Sequence, residues 1–378
     1  MKEILIRIGC VLLGVVLTLS TMKIGDFVKS NNDSETVLVE EMPITEASVT
    51  NMPEDITVAE NVLLYSDYEA EAEERMQQLR AESEKSALTK EEKEDGEESE
   101  TASGNSLKWN EDFPFINSTI SLENRVKERS SYDETMAMNA FDRKVIEECT
   151  VDFSDVKITI MGDSITAATN LPEEDREKYS YPSVLQDILG CKEVVNKGVG
   201  GSTVSSCANN DPMVDRWHGI PADSDIIIVF GGSNDCLFEN IWEFGHIDYD
   251  LRMNEDTFCG DLDRMCSAMK YAYIDHNPDP GQQVKMFYIN PPSTVLNDAV
   301  YNSNPERKVH QKDFAEAINA IVTSYEFDVI DMYNNNILNT HDEKVRELLV
   351  PDGIHPNEEG YRIIAEHIAS QIIQRIEQ

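Results

Sequence analysis

Basic residues are scarce in this sequence. Its 378 residues include 32 Lys and Arg against 72 Asp and Glu, which gives a formal net charge of −40. Phosphate backbones and anionic surfaces are bound mainly through Lys and Arg, so nucleic acid is not expected as a partner. Much of the negative charge lies in the N-terminal part, so it says little about the substrate of the remainder.

Patterns that bind metals and phosphates are also missing. None of the seven cysteines forms a CxxC pair or a Cys/His cluster with zinc spacing. The glycine-rich segment 196–203 lacks the Lys-Ser/Thr ending of a P-loop and does not match GxGxxG. We expect no metal and no cofactor.

Six cysteines could pair outside the cytoplasm, but Cys259 and Cys266, about two helical turns apart, are expected to face the core.

Residues 1–22 have the pattern of a signal sequence or membrane anchor. Lys2 and Arg7 precede an apolar run over 8–19, and residues 18–20 match a cleavage site poorly. We therefore expect an uncleaved anchor in the cell membrane, with the rest of the chain extracytoplasmic. Secretion after cleavage is the alternative.

Residues 23–105 contain few aromatic residues and show no persuasive globular pattern. Asp and Glu dominate, most densely in 69–84 and 91–100. Such a segment cannot bury enough apolar surface to offset its chain entropy, so we expect a disordered acidic spacer. An acidic tail that binds a basic partner is the alternative.

Residues 106–151 are expected to form an arm and a helix that pack on the following domain. The apolar residues of the arm are Trp109, Phe113, Phe115 and Ile116. Apolar residues recur with a helical period over 131–148, and Ser131 is the predicted N-cap.

From residue 152 onward, short apolar runs alternate with amphipathic segments. The predicted strands are 157–161, 193–196, 225–230, 284–290 and 328–332. The predicted helices are 180–189, 257–276, 305–325 and 357–376. This alternation predicts a three-layer α/β/α sandwich around a five-stranded, mostly parallel sheet, formed by one domain over 152–378.

A Gly-Asp-Ser triplet at 162–164 directly follows the first predicted strand. Open α/β sheets keep their active sites at the carboxyl ends of strands, which makes Ser164 a candidate nucleophile. The triplet alone is equally consistent with a serine that caps a helix after a tight turn.

Three further segments lie at the same predicted edge of the sheet. Gly201 follows the second strand, Gly232 and Asn234 follow the third, and Asp352 and His355 precede the last helix. Taken singly, they are consistent with a flexible turn, a helix cap and a structural histidine.

In this order, the four segments resemble the sequence blocks of the SGNH hydrolases, the GDSL-type esterases. Residues 162–164 resemble the first block, Gly201 the glycine of the second, 232–235 the GxND block and 352–355 the DxxH block. The resemblance covers about 157–378 and implies an SGNH, flavodoxin-like fold. Each block is short, but four in order after the expected strands are a specific signal.

The resemblance implies a Ser-His-Asp mechanism, and the chemistry of the residues fits it. Ser164 would attack an ester carbonyl, His355 would act as general base, and Asp352 would hold the imidazole. The backbone N–H groups of Ser164 and Gly201 and the side chain of Asn234 would stabilise the oxyanion.

The remaining motif residues are expected to play supporting parts. Asp163 would bond nearby backbone and so hold the serine turn, and Gly232 would support the third block. The other histidines have no comparable bracing motif and are expected to be structural: His218, His246, His276, His310, His341 and His367.

These roles predict a surface-anchored or secreted esterase that removes small acyl groups, often acetyl in this family, from carbohydrate. Phe238, Trp242 and Tyr301 are candidate substrate contacts, although such aromatic residues could equally form the core of a large loop. The alternatives are an O-acyltransferase that uses a glycan hydroxyl as acceptor and a binding module without turnover. The sequence does not give the oligomeric state.

Overall fold

The computed structural model describes residues 107–110, 113, 129–206, 211–238, 244–252, 256–277, 283–297 and 309–376. The predicted anchor and acidic spacer lie outside these ranges, as do Phe115, Ile116, Trp242 and Tyr301. None of the helices in the described ranges is both long enough and apolar enough to span a bilayer. The domain boundaries stay predictions.

A parallel sheet of five strands forms the centre of the fold. The strands are β1 Lys157–Gly162, β2 Glu193–Gly198, β3 Ile226–Phe230, β4 Lys285–Asn290 and β5 Phe327–Asp331. Their order is β2-β1-β3-β4-β5, and every neighbouring pair is parallel. The predicted parallel sheet is confirmed, and each strand ends within two residues of its predicted bounds.

Helices connect and flank these strands. In chain order they are α1 Ser131–Glu148, α2 Glu173–Tyr179, α3 Tyr181–Leu189, α4 Met213–Arg216, α5 Ser233–Phe238, α6 Tyr249–Arg252, α7 Phe258–Lys270, α8 Gln311–Thr323, α9 Glu343–Leu348 and α10 Glu358–Ile373. The sequence pattern does not predict α2, α4, α5, α6 or α9, because segments of four to seven residues are too short to show a helical period.

The two faces of the sheet contribute to separate apolar clusters. On β3, Ile226 and Ile228 join a cluster with α1, α3 and α10, whereas Ile227 and Val229 join another with α7 and α8. Successive strand residues point to opposite faces, so a strand that is apolar throughout needs cover on both. The predicted sandwich of two helical layers around a sheet is therefore observed.

The ends of two long helices differ from their predictions. The helix predicted over 257–276 is an α-helix only as far as Lys270, and a π-helical turn, Tyr271–Asp275, continues it. The helix predicted to start at residue 305 begins at Gln311, because the Asp313 carboxylate accepts the His310 N–H at 2.6 Å and closes the first turn. An apolar period does not reveal either feature.

Cys259 and Cys266 lie on α7 and are fully buried in the cluster that α7 shares with α8. Their predicted orientation toward the core is confirmed. On such a helix, the two side chains fill space between the helix and the sheet.

Helix α1 packs against α10. Its N-cap is Ser130, whose hydroxyl accepts the Asp133 N–H at 3.2 Å, so the predicted cap at Ser131 is wrong by one residue. The Ser131 hydroxyl instead donates to the Asn336 carbonyl at 2.7 Å. A local pattern does not distinguish neighbouring serines when one of them has a partner 205 residues away.

Part of the predicted arm contacts the domain. Trp109 forms an antiparallel bridge with Ile376, and its ring centroid lies 6.1 Å from that of Phe287 on β4. The Arg375 guanidinium lies 4.5 Å from the ring centroid of Phe113. These contacts place the arm residues beside the start of β4 and the end of α10.

Candidate active site

Ser164 lies just beyond the carboxyl end of β1. This strand sits between β2 and β3, where the strand order reverses, and open α/β sheets bind ligands at that position. Consecutive turns follow the serine: the Ala167 N–H donates to the Asp163 carbonyl at 3.0 Å and the Thr169 N–H to the Ser164 carbonyl at 3.1 Å. Ser164 therefore starts a series of turns, and the helix cap considered from sequence is wrong.

The loop between α9 and α10 brings His355 to Ser164. His355 Nε2 lies 2.9 Å from Ser164 Oγ, and His355 Nδ1 lies 2.7 Å from Asp352 Oδ2. Asp352 Oδ1 also accepts the backbone N–H groups of Ile354, at 2.9 Å, and His355, at 2.6 Å. An imidazole held in this way can accept a proton from the hydroxyl while the carboxylate fixes its orientation.

The carboxyl group of Asp352 favours its charged form. Partial burial opposes ionisation, but hydrogen bonds from the side chain and backbone of His355 and from the Ile354 N–H outweigh it. They hold the pKa of Asp352 below its usual value. A charged acceptor is therefore present beside Nδ1 over the neutral pH range.

The three predicted oxyanion donors lie on segments that follow three adjacent strands. Among the described residues, the Ser164 backbone N–H has no hydrogen-bond acceptor. Gly201 has a φ of +75°, which places it in the left-handed region that glycine adopts readily. The Asn234 Nδ2 group donates to the Ser202 carbonyl at 2.9 Å, so its side chain is held next to the residue that follows Gly201.

The glycines before Ser164 and Asn234 allow close packing. A Cβ atom at Gly162 would lie 1.9 Å from Thr166 Oγ1, so no side chain fits where β1 meets the serine turn. Gly232 has a φ of +115°, and a Cβ atom there would lie 3.0 Å from Ile318 Cδ1. At Gly162 the close contact with Thr166 excludes a side chain, and at Gly232 the left-handed backbone favours glycine.

Asp163 lies beneath the serine turn and is buried. Its Oδ1 accepts the Ile165 N–H at 2.9 Å, which is the backbone contact expected for this residue. Burial raises the pKa of Asp163 to about 6, although the Ile165 N–H and the nearby His355 and Arg216 act to lower it.

The sequence of this domain matches a known protein family. A sequence model of the GDSL-like Lipase/Acylhydrolase family matches residues 160–363, which is more than half of the chain. The chain belongs to this family. The predicted relationship to the GDSL-type esterases is thereby confirmed, and so, at the level of the family, is the prediction of an ester hydrolase.

The chain is similar to individual proteins of different lengths and origins. An acetylxylan esterase of Xylanibacter ruminicola is 28% identical over 226 residues, covering 57% of this chain and 43% of the relative. The chain thus spans less than half the length of this curated relative. One solved structure, 24% identical with a TM-score of 0.50, covers 60% of this chain and 100% of its own. A structure from Lactobacillus plantarum, also 24% identical, has a TM-score of 0.48 and covers 58% and 97%.

Sequence reasoning missed the part that Asp235 plays in this GDSL-like domain. Its two carboxyl oxygens accept the N–H groups of Val204, at 2.8 Å, and Ser205, at 2.9 Å. Burial raises the pKa of Asp235 to about 7, even though these backbone donors act to lower it. Asp235 holds the loop that begins with Gly201, and its position as the last residue of the GxND segment was the available signal.

Asn170 was also missed, and no motif marks it. Its Nδ2 group donates to the Pro356 carbonyl at 2.8 Å, and its Oδ1 accepts the Tyr361 hydroxyl at 2.6 Å. Asn170 ends the turns that follow Ser164, and Pro356 is adjacent to His355. The amide therefore links the serine segment of this chain to its histidine segment.

The roles of Phe238, Trp242 and Tyr301 as substrate contacts stay predictions. Phe238 is the last residue of α5, and its side chain, like Trp242 and Tyr301, lies outside the described parts.

A separate open depression of about 570 Å³ is lined by residues of α6 and α7 together with Trp217 and Tyr325, and none of the candidate site residues lines it. Within the described ranges, no group of three or more His, Cys, Asp or Glu side chains is arranged to hold a metal ion.

Proposed function

We propose that the chain is a serine esterase that removes small acyl groups, acetyl foremost, from carbohydrate. The observation that carries this proposal is the continuous contact from Asp352 through His355 to Ser164, with distances of 2.7 and 2.9 Å. The acetylxylan esterase among its relatives supports acetyl as the acyl group and a polysaccharide as the alcohol part.

The proposed reaction begins with transfer of the acyl group to Ser164. Its Oγ attacks the ester carbonyl carbon while its proton passes to His355 Nε2, and a tetrahedral oxyanion forms. When the bond to the sugar oxygen breaks, the proton on Nε2 moves to that oxygen and the sugar leaves as an alcohol. Asp352 stabilises the imidazolium that exists between these two proton transfers.

Water completes the cycle. It loses a proton to His355 Nε2 as its oxygen attacks the acyl-enzyme, and the second tetrahedral species releases the acid when the proton returns to Ser164 Oγ. The N–H groups of Ser164 and Gly201 and the side chain of Asn234 would stabilise both oxyanions. No step in this sequence uses a cofactor.

The test compares the full-length protein with its Ser164→Ala variant on short-chain aryl esters and acetylated xylan. We expect a loss of activity of about 10⁴-fold or more, because the nucleophile is removed. Ser183→Ala is a suitable control, since this serine lies on α3 and contacts Ser180 at 3.0 Å, away from the site. Full activity of Ser164→Ala would exclude the mechanism.

The same assay distinguishes hydrolysis from the alternatives. Release of acetate into water supports the esterase, whereas acetyl transfer to an added glycan that exceeds release would indicate an O-acyltransferase with the same acyl-enzyme. Glycan binding without turnover of any ester, unchanged in Ser164→Ala, would identify a binding module instead.

The proposal places the enzyme at the cell surface. The support is the sequence pattern of residues 1–22, a basic start followed by an apolar run, and the acidic segment 23–105 that would separate the domain from the membrane. Deletion of residues 1–22 should move the protein from the membrane fraction to the soluble fraction. An unchanged distribution would contradict the anchor and leave the esterase proposal intact.

A further inference from the structure

Arg216, the last residue of α4, donates hydrogen bonds to backbone at several points of the active-site edge. Its Nη2 group lies 2.6 Å from the Gly162 carbonyl and 3.0 Å from the Ser202 hydroxyl oxygen. Its Nη1 group lies 2.6 Å from the Lys197 carbonyl, and its Nε lies 3.1 Å from the Asp211 carbonyl. One partly buried guanidinium thus joins the last residue of β1 and the end of β2 to the loop that follows β2.

The partners of Arg216 are close in sequence to two of the oxyanion donors. The Gly162 carbonyl is two residues before the Ser164 N–H, and Ser202 directly follows Gly201. The guanidinium is planar and rigid, so bonding to both segments fixes the distance between them. A change in this contact would move the two backbone N–H groups relative to one another.

Asn234, the third oxyanion donor, is connected to Arg216 through Ser202. The Ser202 carbonyl accepts the Asn234 side-chain amide at 2.9 Å, and the Ser202 N–H donates to the Val199 carbonyl at 3.1 Å. Ser202 is fully buried. Arg216 therefore holds, through Ser202, the residue that orients Asn234.

We propose that Arg216 is a positioning residue that sets the spacing of the three oxyanion donors. The inference rests on the proposed esterase function and adds a determinant of its rate. Arg216 does not touch the substrate in this proposal; it acts through the backbone that carries Ser164 and Gly201 and through the carbonyl that holds Asn234. Because preplaced donors stabilise mainly the transition state, their displacement should lower kcat more than it raises KM.

The experiment measures kcat and KM of full-length Arg216→Met and Arg216→Lys on a short-chain aryl ester. Complete loss of one oxyanion donor costs about 10²–10³ in kcat, and we expect Arg216→Met to lose about 10- to 100-fold with little change in KM. Arg216→Lys should retain more activity, because an ammonium group keeps the charge but cannot reproduce the planar fork.

Arg176→Met is the matched control. Arg176 also donates to backbone carbonyls close to the serine, those of Leu171, at 3.0 Å, and Thr169, at 3.1 Å, but these contacts do not join the donor segments. We expect its kcat to stay within about threefold of the wild type. A loss equal to that of Arg216→Met would show a general effect of loop anchoring and would overturn the inference.

A double-mutant cycle with Asn234→Ala gives a readout that a purely structural role would not move. If Arg216 acts through the donors, Arg216→Met should cost less in the Asn234→Ala background than in the wild type. If the loss of kcat in the double variant equals the product of the losses in the two single variants, the inference is contradicted. Thermal unfolding of each variant identifies any variant that fails to fold. If Arg216→Met does not fold, Arg216→Lys tests the proposal instead, and a wild-type kcat in Arg216→Lys would overturn it.

The outcomes separate this inference from the proposed function. If the wild-type protein turns over no ester, or Ser164→Ala stays active, the esterase proposal fails. If the wild type is active, Ser164→Ala is inactive and both Arg216 variants keep the wild-type kcat, only the positioning role fails.

Discussion

Two Asp–His pairs in this domain have nearly the same distance between the carboxylate and the Nδ1 atom of the imidazole. In one, Asp352 Oδ2 lies 2.7 Å from His355 Nδ1; in the other, Asp142 Oδ2 on α1 lies 2.8 Å from His367 Nδ1 on α10. Their surroundings differ. The side chains of His355 and Asp352 are 18% and 51% exposed, whereas those of His367 and Asp142 are 2% and 1% exposed.

In both pairs a carboxylate orients an imidazole, but within the described part of the chain only the pair in the candidate active site also has a hydroxyl group at the second ring nitrogen. The Nε2 atom of His355 lies 2.9 Å from Ser164 Oγ, whereas no hydroxyl group in the described residues forms a hydrogen bond with His367 Nε2. The pair joining α1 to α10 stabilises the packing of two helices. A carboxylate that orients an imidazole is therefore not sufficient for catalysis; the second ring nitrogen also needs an accessible nucleophile.

Replacement of each histidine by alanine should give opposite results, and this is the largest expected effect. His355→Ala should lower kcat/KM by about 10⁴-fold or more, because Ser164 loses its base, with little change in stability. His367→Ala should keep the activity of folded protein within about threefold but lower the free energy of unfolding by about 2–4 kcal/mol, since it leaves Asp142 buried without its partner.

The measurements for this pair of variants are initial rates on an aryl ester and urea unfolding followed by circular dichroism. The rates of the two variants are comparable only when each is divided by the concentration of folded protein. Inactive but stably folded His367→Ala would break the distinction, because it would mean that the buried pair affects the chemistry directly.

Replacement of each aspartate by asparagine tests the same distinction with a smaller expected effect. Asp352→Asn should lower kcat by up to about 10⁴-fold, because an amide does not stabilise the imidazolium, while Ser164 and His355 remain in place. The control Asp142→Asn should leave kcat within about threefold. Equal losses of kcat in the two variants would show that proximity to Ser164 in the fold does not determine the role of the aspartate.

The contrast between the pairs also explains what the sequence revealed. Asp352 and His355 are three residues apart in a short motif that could be recognised without a structure. Asp142 and His367 are separated by 225 residues and meet only when α1 packs on α10. His367 is predicted to be structural because no motif comparable to the DxxH block braces it; the structure gives it an acid partner, Asp142, from a helix at the other end of the domain.

The same reasoning applies to the fold and to the rest of the site. Strands such as Ile226–Phe230, buried at every position, produce apolar runs that the sequence shows directly. Arg216 and Asn170 donate hydrogen bonds to backbone carbonyls of distant segments. Because every residue has a backbone carbonyl, the residue types in the sequence do not indicate which carbonyl is the partner. Their partners became visible only when the strand ends were brought to one edge of the sheet.

The smallest predicted effect concerns carboxyl groups with opposite pKa shifts. Burial raises the pKa of Asp163 to about 6, so between about pH 4 and pH 6 the folded protein retains a proton that the unfolded chain has lost. Raising the pH across this window therefore favours unfolding, by about 2 kcal/mol between roughly pH 4.5 and pH 6. Asp163→Asn, which keeps an acceptor for the Ile165 N–H, should lose the part of this dependence that comes from Asp163 and keep the part that comes from Asp235, whose pKa burial raises to about 7. Asp352→Asn should not, because the pKa of Asp352 is lowered and its contribution changes only below about pH 4. Urea unfolding of the three proteins at both pH values gives the slopes, and equal slopes for wild type and Asp163→Asn would contradict the assignment of a buried, proton-retaining carboxyl beneath Ser164.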